Sequence, residues 1–364
     1  MSDAKPLVAP VPPGGTIGIL GGGQLGRMLA MAAARLGLKA HIYSDVPDAP
    51  AFQACDAHTV APFEDEAALA KFATACDAVT YEFENVPAKA ASVLAKIKPT
   101  NPNAMALGIA QDRFNEKSFI HHLGREVAPF AEVNTEVGMR SALSDIGMPA
   151  VLKTRKFGYD GKGQAKIRTT EEGIVAIRAM KNKTCILEGF VDFEYEASVI
   201  SVRAANGEFA AYDPAENTHE NHILRRSVVP SRMTSQQIAE AKAIAHHIAD
   251  ALAYVGVLGV ELFVTKGGSL LVNEIAPRVH NSGHWTIDAC LCSQFENHIR
   301  AIAGWPIGST ARHSDAVMDN IIGEEAAGWN ALAAKGGALH LYGKSEMREG
   351  RKMGHVTYLK PLSK

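Results

Sequence analysis

Two apolar runs late in the chain, VGVLGVELFV and LLVNEIAP, flank the break TKGGS, and each carries one carboxylate, Glu261 and Glu274. β-Branched apolar runs around a glycine-rich break predict a β-hairpin. Side chains alternate between the two faces of a strand, so loop length decides what each glutamate faces. A four-residue loop, Lys266 to Ser269, pairs Thr265 with Leu270 and sets Glu261 opposite Glu274. An odd loop sets Asn273 there instead, and a bulge is then needed to bring both glutamates to one ion. Like charges facing each other across a sheet are unfavourable, so the pattern asks for a cation between them. Carboxylate oxygens suit Mg²⁺, especially where substrate phosphates complete its shell. The alternative is a pair of solvated glutamates on an open sheet face.

At 364 residues the chain exceeds a single core and predicts two or three domains. A net charge of −2 gives no basic surplus for nucleic acid, so any anion site must be built locally. No apolar run reaches ~18 residues and the first segment lacks the apolar core of a signal peptide. Neither a membrane span nor export is expected, and a cytoplasmic setting is. Cys55, Cys76, Cys185, Cys290 and Cys292 are scattered, form no zinc pattern and predict free or buried thiols.

Residues 1–14 are proline-rich and predict a disordered lead-in. Over 15–110, TIGILGGG, QLGRMLAMAAARLG, LKAHIYSD, HTVAPF, EDEAALAKFATAC and DAVTYEF alternate strand and helix. That alternation predicts a parallel, Rossmann-like sheet. Residues 111–305 predict an α+β region whose 150–187 part contains two strands and a polar glycine-rich loop. Residues 306–364 predict a small β-rich C-terminal domain packed on it.

Gly21, Gly23 and Gly26 satisfy G-x-G-x-x-G between a strand and a helix, with Asp45 ending the next strand. This is the dinucleotide fingerprint in its proper context, and an NAD(P)-dependent oxidoreductase follows from it as one reading. A tight turn also needs small residues for backbone reasons, and a helix N-terminus accepts any anion. A phosphorylated substrate fits this turn equally well or better.

Lys153 lies in the strand-like PAVLKTR, where it needs an anionic partner or an edge position. Gly158, Tyr159, Asp160, Gly161, Lys162, Gly163 and Gln164 form a loop rich in backbone N–H groups that can close over phosphates; a plain hairpin tip is the alternative. Glu188, Gly189, Phe190 and Val191 end a strand where backbone groups suit an adenine edge, and Glu196 suits ribose hydroxyls.

A strand lysine, a glycine-rich flap, an EGFV hinge and a carboxylate hairpin, in this order, resemble the ATP-grasp fold. GGGQLGRM, YEFENVP, QDRFNEKSF, VLKTRKFGYDGKGQ, AENTHENHIL, VNEIAPRVHNSGHWTIDA and GRKMGHV also run in order from Thr16 over nearly the whole chain. Together they are similar to the N5-carboxyaminoimidazole ribonucleotide synthetase family of purine biosynthesis. The resemblance implies that ATP, bicarbonate and 5-aminoimidazole ribonucleotide give N5-carboxyaminoimidazole ribonucleotide, ADP and phosphate through carboxyphosphate. It further implies a homodimer, and a product passed to a separate mutase. It matches Arg113, Lys153, the 158–164 loop, 188–191, Glu196, His219, Asn273 and Glu274 to ATP, and Glu261 and Glu274 to Mg²⁺. Arg278 is the expected stabiliser of carboxyphosphate, with Lys153 and His280 as further catalytic candidates. Gln24, Leu25, Tyr81, Glu82 and Asn85 at the first sheet's edge are expected at the substrate. So are Asn281, Ser282, His284 and Trp285 after the metal strand, with Lys344 and Arg351 for the ribonucleotide phosphate. Val279 stands where the related loop often carries proline, and a slightly looser loop is expected. A formate-using glycinamide ribonucleotide transformylase is the nearest alternative, but Gln24-Leu25-Gly26 and YEFEN favour the carboxylating family.

Overall fold

The computed structural model describes residues 9–156, 163–181 and 183–363. In its first sheet the short runs TIGIL and AVTY are buried on both faces. β1 (Thr16–Leu20) leads through the glycine turn into α1 (Gln24–Arg35), followed by β2 (Lys39–Ser44), β3 (Ala57–Val60), α2 (Glu66–Thr74), β4 (Ala78–Tyr81) and α3 (Ala88–Ala95). Asp65 starts α2 by accepting the amides of Ala67 and Ala68, a side-chain cap for orphan helix donors. The order is β3-β2-β1-β4, with every pairing parallel. Connections in such a sheet must cross over its faces, so the strand ends gather at one edge, where ligands bind.

After α4 (Ala104–Ala110) and α5 (Arg113–His122) comes a second sheet with a core of its own. It holds β5 (Phe130–Val133), β6 (Ala150–Thr154), β7 (Gln164–Ile167) and β8 (Cys185–Gly189) in the order β5-β8-β6-β7. α6 (Glu136–Ile146) and α7 (Thr170–Ala179) cover it.

The third sheet is the frame of the molecule. β9 (Phe193–Arg203), β10 (Phe209–Ala211), β11 (Ala215–Glu220) and β12 (Ile223–Val229) precede α8 (Ser235–Ala251) and the hairpin β13 (Gly256–Thr265) and β14 (Leu270–Ala276). After α9 (Thr286–Ala289) and α10 (Gln294–Ile302) come β15 (Ser314–Ile322), α11 (Trp329–Ala333), β16 (Ala338–Leu341) and β17 (Lys352–Pro361). The order β14-β13-β9-β11-β12-β15-β17-β16 joins the C-terminal strands to the hairpin sheet, with β10 on the side of β9. β14 is therefore an edge strand.

The described part of the lead-in is ordered, contrary to expectation. Val11 is buried, its amide donates to Ala303 O at 2.8 Å, and Trp305 Nε1 donates to its carbonyl at 2.7 Å. An apolar side chain and two hydrogen bonds outweigh the extended bias of the prolines around it.

His298 on α10 ties the first sheet to the third. The amide of Val257 donates to its Nδ1 at 3.0 Å, so the proton sits on Nε2 and goes to Thr80 Oγ1 at 2.7 Å. Burial holds the ring neutral, with a pKa lowered to about 3. A His298→Ala substitution is expected to leave both partners buried and unpaired, costing about 3 kcal/mol in denaturant unfolding.

Candidate active site

The hairpin brings Glu261 and Glu274 face to face, but not by the even loop. Val264 pairs with Leu270 and Leu262 with Val272, and the tight loop is closed by Thr265 N donating to Ser269 O at 3.0 Å. That odd spacing alone sets Asn273 opposite Glu261. A β-bulge between the Glu261 and Leu262 pairings takes up Asn273 as the extra residue and restores Glu261 against Glu274. Glu261 is only 17% exposed. Burial, then the charge of Glu274, pushes its carboxyl up to about 7. Among the described residues Glu274 has no ion-pair partner, so the pair has the geometry and excess charge of a divalent-cation site.

Other buried acids around the pair have partners. Glu188 at the end of β8 meets Lys153 Nζ at 3.0 Å and Lys117 Nζ at 3.3 Å. Burial opposes its charge, but the two lysines hold it ionised, below the usual carboxylate range. Lys153 thus has the anionic partner its apolar strand required. Glu188 Oε1 is buried without a hydrogen-bond partner. Glu196 on β9 lies 2.5 Å from His219 Nδ1, one strand away on β11. Burial works against charge on His219, yet Glu196 outweighs it and raises the pKa. Glu84 pairs with Arg278 Nε, joining the edge of the first sheet to the loop after β14. Burial again opposes, and Arg278 keeps the Glu84 carboxyl below its ordinary value.

The glycine turn is filled from within. Both Glu82 oxygens accept backbone amides of the turn, one from Gly23 and one from Gly26 at 2.7 Å. A Cβ at Gly23 would lie 2.6 Å from Glu82 Oε1, so the small residues admit this carboxylate. The anion seat expected for a dinucleotide or phosphate is occupied by the chain's own side chain.

Several expected contact residues are buried or have partners within the chain. The sites Gly158, Tyr159, Asp160, Gly161 and Lys162 lie outside the described residues, while Gly163 and Gln164 flank the start of β7. The amides of Gly189 and Phe190 donate to Pro129 O and Pro149 O, so a purine edge there must use other hinge groups such as those of Val191. Leu25, Tyr81, His284 and Trp285 are buried, Leu25 and Trp285 within one apolar core, because their helix and loop pack inward. Asn281 exchanges two amide hydrogen bonds with Asn320 of β15 and is spent as an anchor. Arg351 donates to Glu346 O at 2.9 Å. Lys344 donates to Lys352 O at 2.6 Å; burial, then Arg351, lowers its pKa to about 8. Gln24 opens α1 at the turn, Asn85 is exposed beyond β4, and Arg113 opens α5 beneath β14. Val279 does not loosen its loop: it is fully buried, and Gln294 bonds the amide and carbonyl of His280.

Sequence reasoning missed Glu116 and Lys117, although both lie in the QDRFNEKSF stretch, and it left Lys352 without a role. Lys352 acts electrostatically on Glu84, Glu261 and His280. It missed Ser198, Asn217 and Ser227 as well, since isolated polar residues in strands give no signal. Those three direct His280. Ser227 Oγ donates to Asn217 Oδ1, Asn217 Nδ2 to Ser198 Oγ, and Ser198 Oγ to Ser282 Oγ. Ser282 is left to donate to His280 Nδ1 at 2.8 Å. The His280 proton then sits on Nε2, which faces Glu261 Oε1 at 3.3 Å. A further group, Asp288, His340 and His355, gathers ligand atoms within 4.8 Å. The two rings stack at 11°, however, so their in-plane lone pairs cannot meet on one ion, and Asp288 instead pairs with His340 at 3.0 Å.

A strand lysine on an acid, a hinge strand and paired carboxylates on a hairpin, set between two sheets, define an ATP-grasp enzyme. An ATP-grasp domain model matches residues 118–295, a ribonucleotide synthetase preATP-grasp domain 15–111 and a phosphoribosylaminoimidazole carboxylase C-terminal domain 316–363. The chain is 51% identical over 352 residues to N5-carboxyaminoimidazole ribonucleotide synthase of Brucella melitensis, covering 96% of this chain and 97% of that one. An N5-carboxyaminoimidazole ribonucleotide synthetase solved with ADP superposes at a TM-score of 0.94 with 42% identity, covering 97% of this chain and 94% of that one. The Aspergillus clavatus synthase solved with ADP and 5-aminoimidazole ribonucleotide gives 0.89 at 31% identity, covering 96% and 94%. The chain belongs to the N5-carboxyaminoimidazole ribonucleotide synthase family.

The directed hydrogen-bond chain predicts the Nε2–H tautomer for His280 in nitrogen-15 NMR of the labelled protein. Ser282→Ala removes the donor to Nδ1 and is expected to lose that tautomer signature and about 10-fold in turnover.

Proposed function

We propose that this chain is an ATP-dependent ligase that carboxylates 5-aminoimidazole ribonucleotide with bicarbonate, giving N5-carboxyaminoimidazole ribonucleotide, ADP and phosphate. The observation that carries this reading is the Glu261–Glu274 pair, with Arg278 and His280 on the loop that follows it. A bicarbonate oxygen attacks the γ-phosphorus and ADP leaves, giving carboxyphosphate. The exocyclic amine then attacks the carboxyl carbon, phosphate leaves and the amine gives up a proton. Lys153 and the 158–164 loop meet the ATP phosphates, with Glu188 beneath Lys153 fixing its position. Arg278, oriented by Glu84, stabilises the carboxyl oxygens as charge develops on them. Neutral His280, its pKa held well below 6.5 by burial and Arg278, offers Nε2–H beside Glu261.

Glu261 and Glu274 hold Mg²⁺ in this reading: two facing acids, one pushed up to about 7, fit a small hard cation. When bound, that ion neutralises phosphate oxygens during transfer. Lys344 and Lys352 place positive charge near Glu82 and Glu84 for a ribonucleotide phosphate. A homodimer and a separate mutase that takes the product rest on the family resemblance, and a cytoplasmic setting on the sequence reading. Among the described residues no helix is long and apolar enough to cross a membrane. An oxidoreductase reading is disfavoured by Glu82, which fills the dinucleotide seat.

Purified protein with ATP, Mg²⁺, bicarbonate and aminoimidazole ribonucleotide is expected to release ADP. Glycinamide ribonucleotide with formate is expected to stay at background, and the reverse pattern would sink the assignment. Glu274→Gln is expected to lower turnover about 100-fold or more while the protein remains folded. The pH dependence follows from Glu261. Its carboxyl is protonated below about pH 7, and the proton competes with the metal. Apparent Mg²⁺ affinity with ATP should therefore rise by up to about tenfold per unit as pH approaches 7, then level off. The same raised pKa means that metal-free stability falls as pH climbs from the ordinary carboxylate value of 4.5 past about 7, and added Mg²⁺ with ATP should offset that fall in a thermal melt.

A further inference from the structure

The facing of Glu261 and Glu274 exists only because Asn273 is taken up as a bulge. β14 is an edge strand, so its outer backbone groups need partners from outside the sheet. Three contacts supply them. Val272 N donates to Glu126 O at 2.8 Å, Lys117 Nζ donates to Asn273 O at 3.1 Å, and Ile275 N donates to Glu116 Oε1 at 2.7 Å. In a regular strand the backbone groups of alternate residues point to the same edge, so residues three apart point to opposite edges. Here Val272 N and Ile275 N both point outward. The outer contacts thus record the parity switch of the bulge, and they sit on both sides of it.

Lys117 is a costly residue to place there. It is 2% exposed, and a buried ammonium needs hydrogen-bonded, charged partners. It has two, the Asn273 carbonyl and the Glu188 carboxylate. Its Nζ thereby joins the extra residue of the metal hairpin to the end of the hinge strand. Glu116, its neighbour on α5, is buried as well and takes the amide that follows Glu274. Neither reaches open solvent.

We infer that Glu116 and Lys117 are positioning residues that clamp the Asn273 bulge and so set the spacing of the two metal-binding carboxylates; the inference rests on the Mg²⁺ reading of Glu261 and Glu274. Without the clamp the hairpin relaxes toward the regular register, which its odd loop favours. That register puts Asn273 opposite Glu261 and turns Glu274 to the other face.

Mn²⁺ binding by the ATP-loaded protein, followed by electron paramagnetic resonance, tests this beside the affinity for aminoimidazole ribonucleotide. Lys117→Met and Glu116→Ala are expected to weaken Mn²⁺ about 10-fold or more, with ribonucleotide affinity within about twofold of wild type. Glu116→Gln keeps an oxygen for Ile275 N and is expected to restore Mn²⁺ binding. A general packing defect would not show that rescue. If Lys117→Met does not fold, the Glu116 pair alone decides. If Glu261→Gln abolishes Mn²⁺ binding while Lys117→Met and Glu116→Ala bind as wild type, the clamp is refuted and the metal site stands. If Glu261→Gln itself binds Mn²⁺ as wild type, the metal reading falls, and the clamp's purpose with it.

Discussion

Two carboxylates held side by side in a poorly hydrated place are unfavourable alone, and the organisation of this site follows from that. The cost shows in Glu261, pushed up to about 7 by burial and then by Glu274, and in Glu116, pushed up to about 8 by burial and then by Glu274. The surrounding acids have cationic partners: Glu84 has Arg278, Glu188 two lysines and Glu196 His219, while Glu82 is held by two backbone amides. With those cations committed, the unmet negative charge concentrates at the hairpin. A multivalent cation carrying phosphates meets that demand, whereas one more lysine would convert the site into another internal ion pair.

The glycine turn illustrates a separate rule. G-x-G-x-x-G describes what a backbone needs in order to pass close to something, and says nothing of what that something is. Here it is Glu82, reaching from the end of β4 into the N-terminus of α1. An internal carboxylate and an external phosphate ask the same of the three glycines. Only the next strand distinguishes them, through one residue whose orientation has no periodic signature.

Periodicity made the framework legible. The βαβ alternation of the first region, the existence of the hairpin and the strand position of Lys153 each follow from periodic patterns. What stayed hidden was set by parity or by tertiary partners. One residue of loop length separated a regular hairpin from a bulged one, and Asn273 carries no mark of being the extra residue. Lys117 and Glu116 read as ordinary polar positions of a helix until β14 lies against them. The pairing of Asn281 with Asn320 of β15 was hidden in the same way, since no local pattern links the two. The small C-terminal domain was legible, but not its strand pairing, which is non-local: β15 pairs with β12 and so continues the central sheet.

The same accounting bears on which part of the molecule can move. The third sheet runs unbroken from the Glu261–Glu274 hairpin to β16, so Lys352 at the start of β17 is fixed relative to Glu261 by strand ladders. His298 and the Arg278–Glu84 pair fix the first sheet to the same frame. The β5-β8-β6-β7 sheet differs, because it has its own core. Its polar ties to α5 and the cap before it include Lys117 to Glu188, Arg155 to Asp112 and Asn115, and the Arg113 amide to the Arg155 carbonyl. Ion pairs and hydrogen bonds between two closed cores allow reorientation without opening either. The sheet bearing Lys153 is thus joined to the frame by side-chain and loop contacts rather than by strand ladders. On the proposed reading, the frame carries the paired carboxylates and Arg278, and the second sheet carries the lysine assigned to the phosphates.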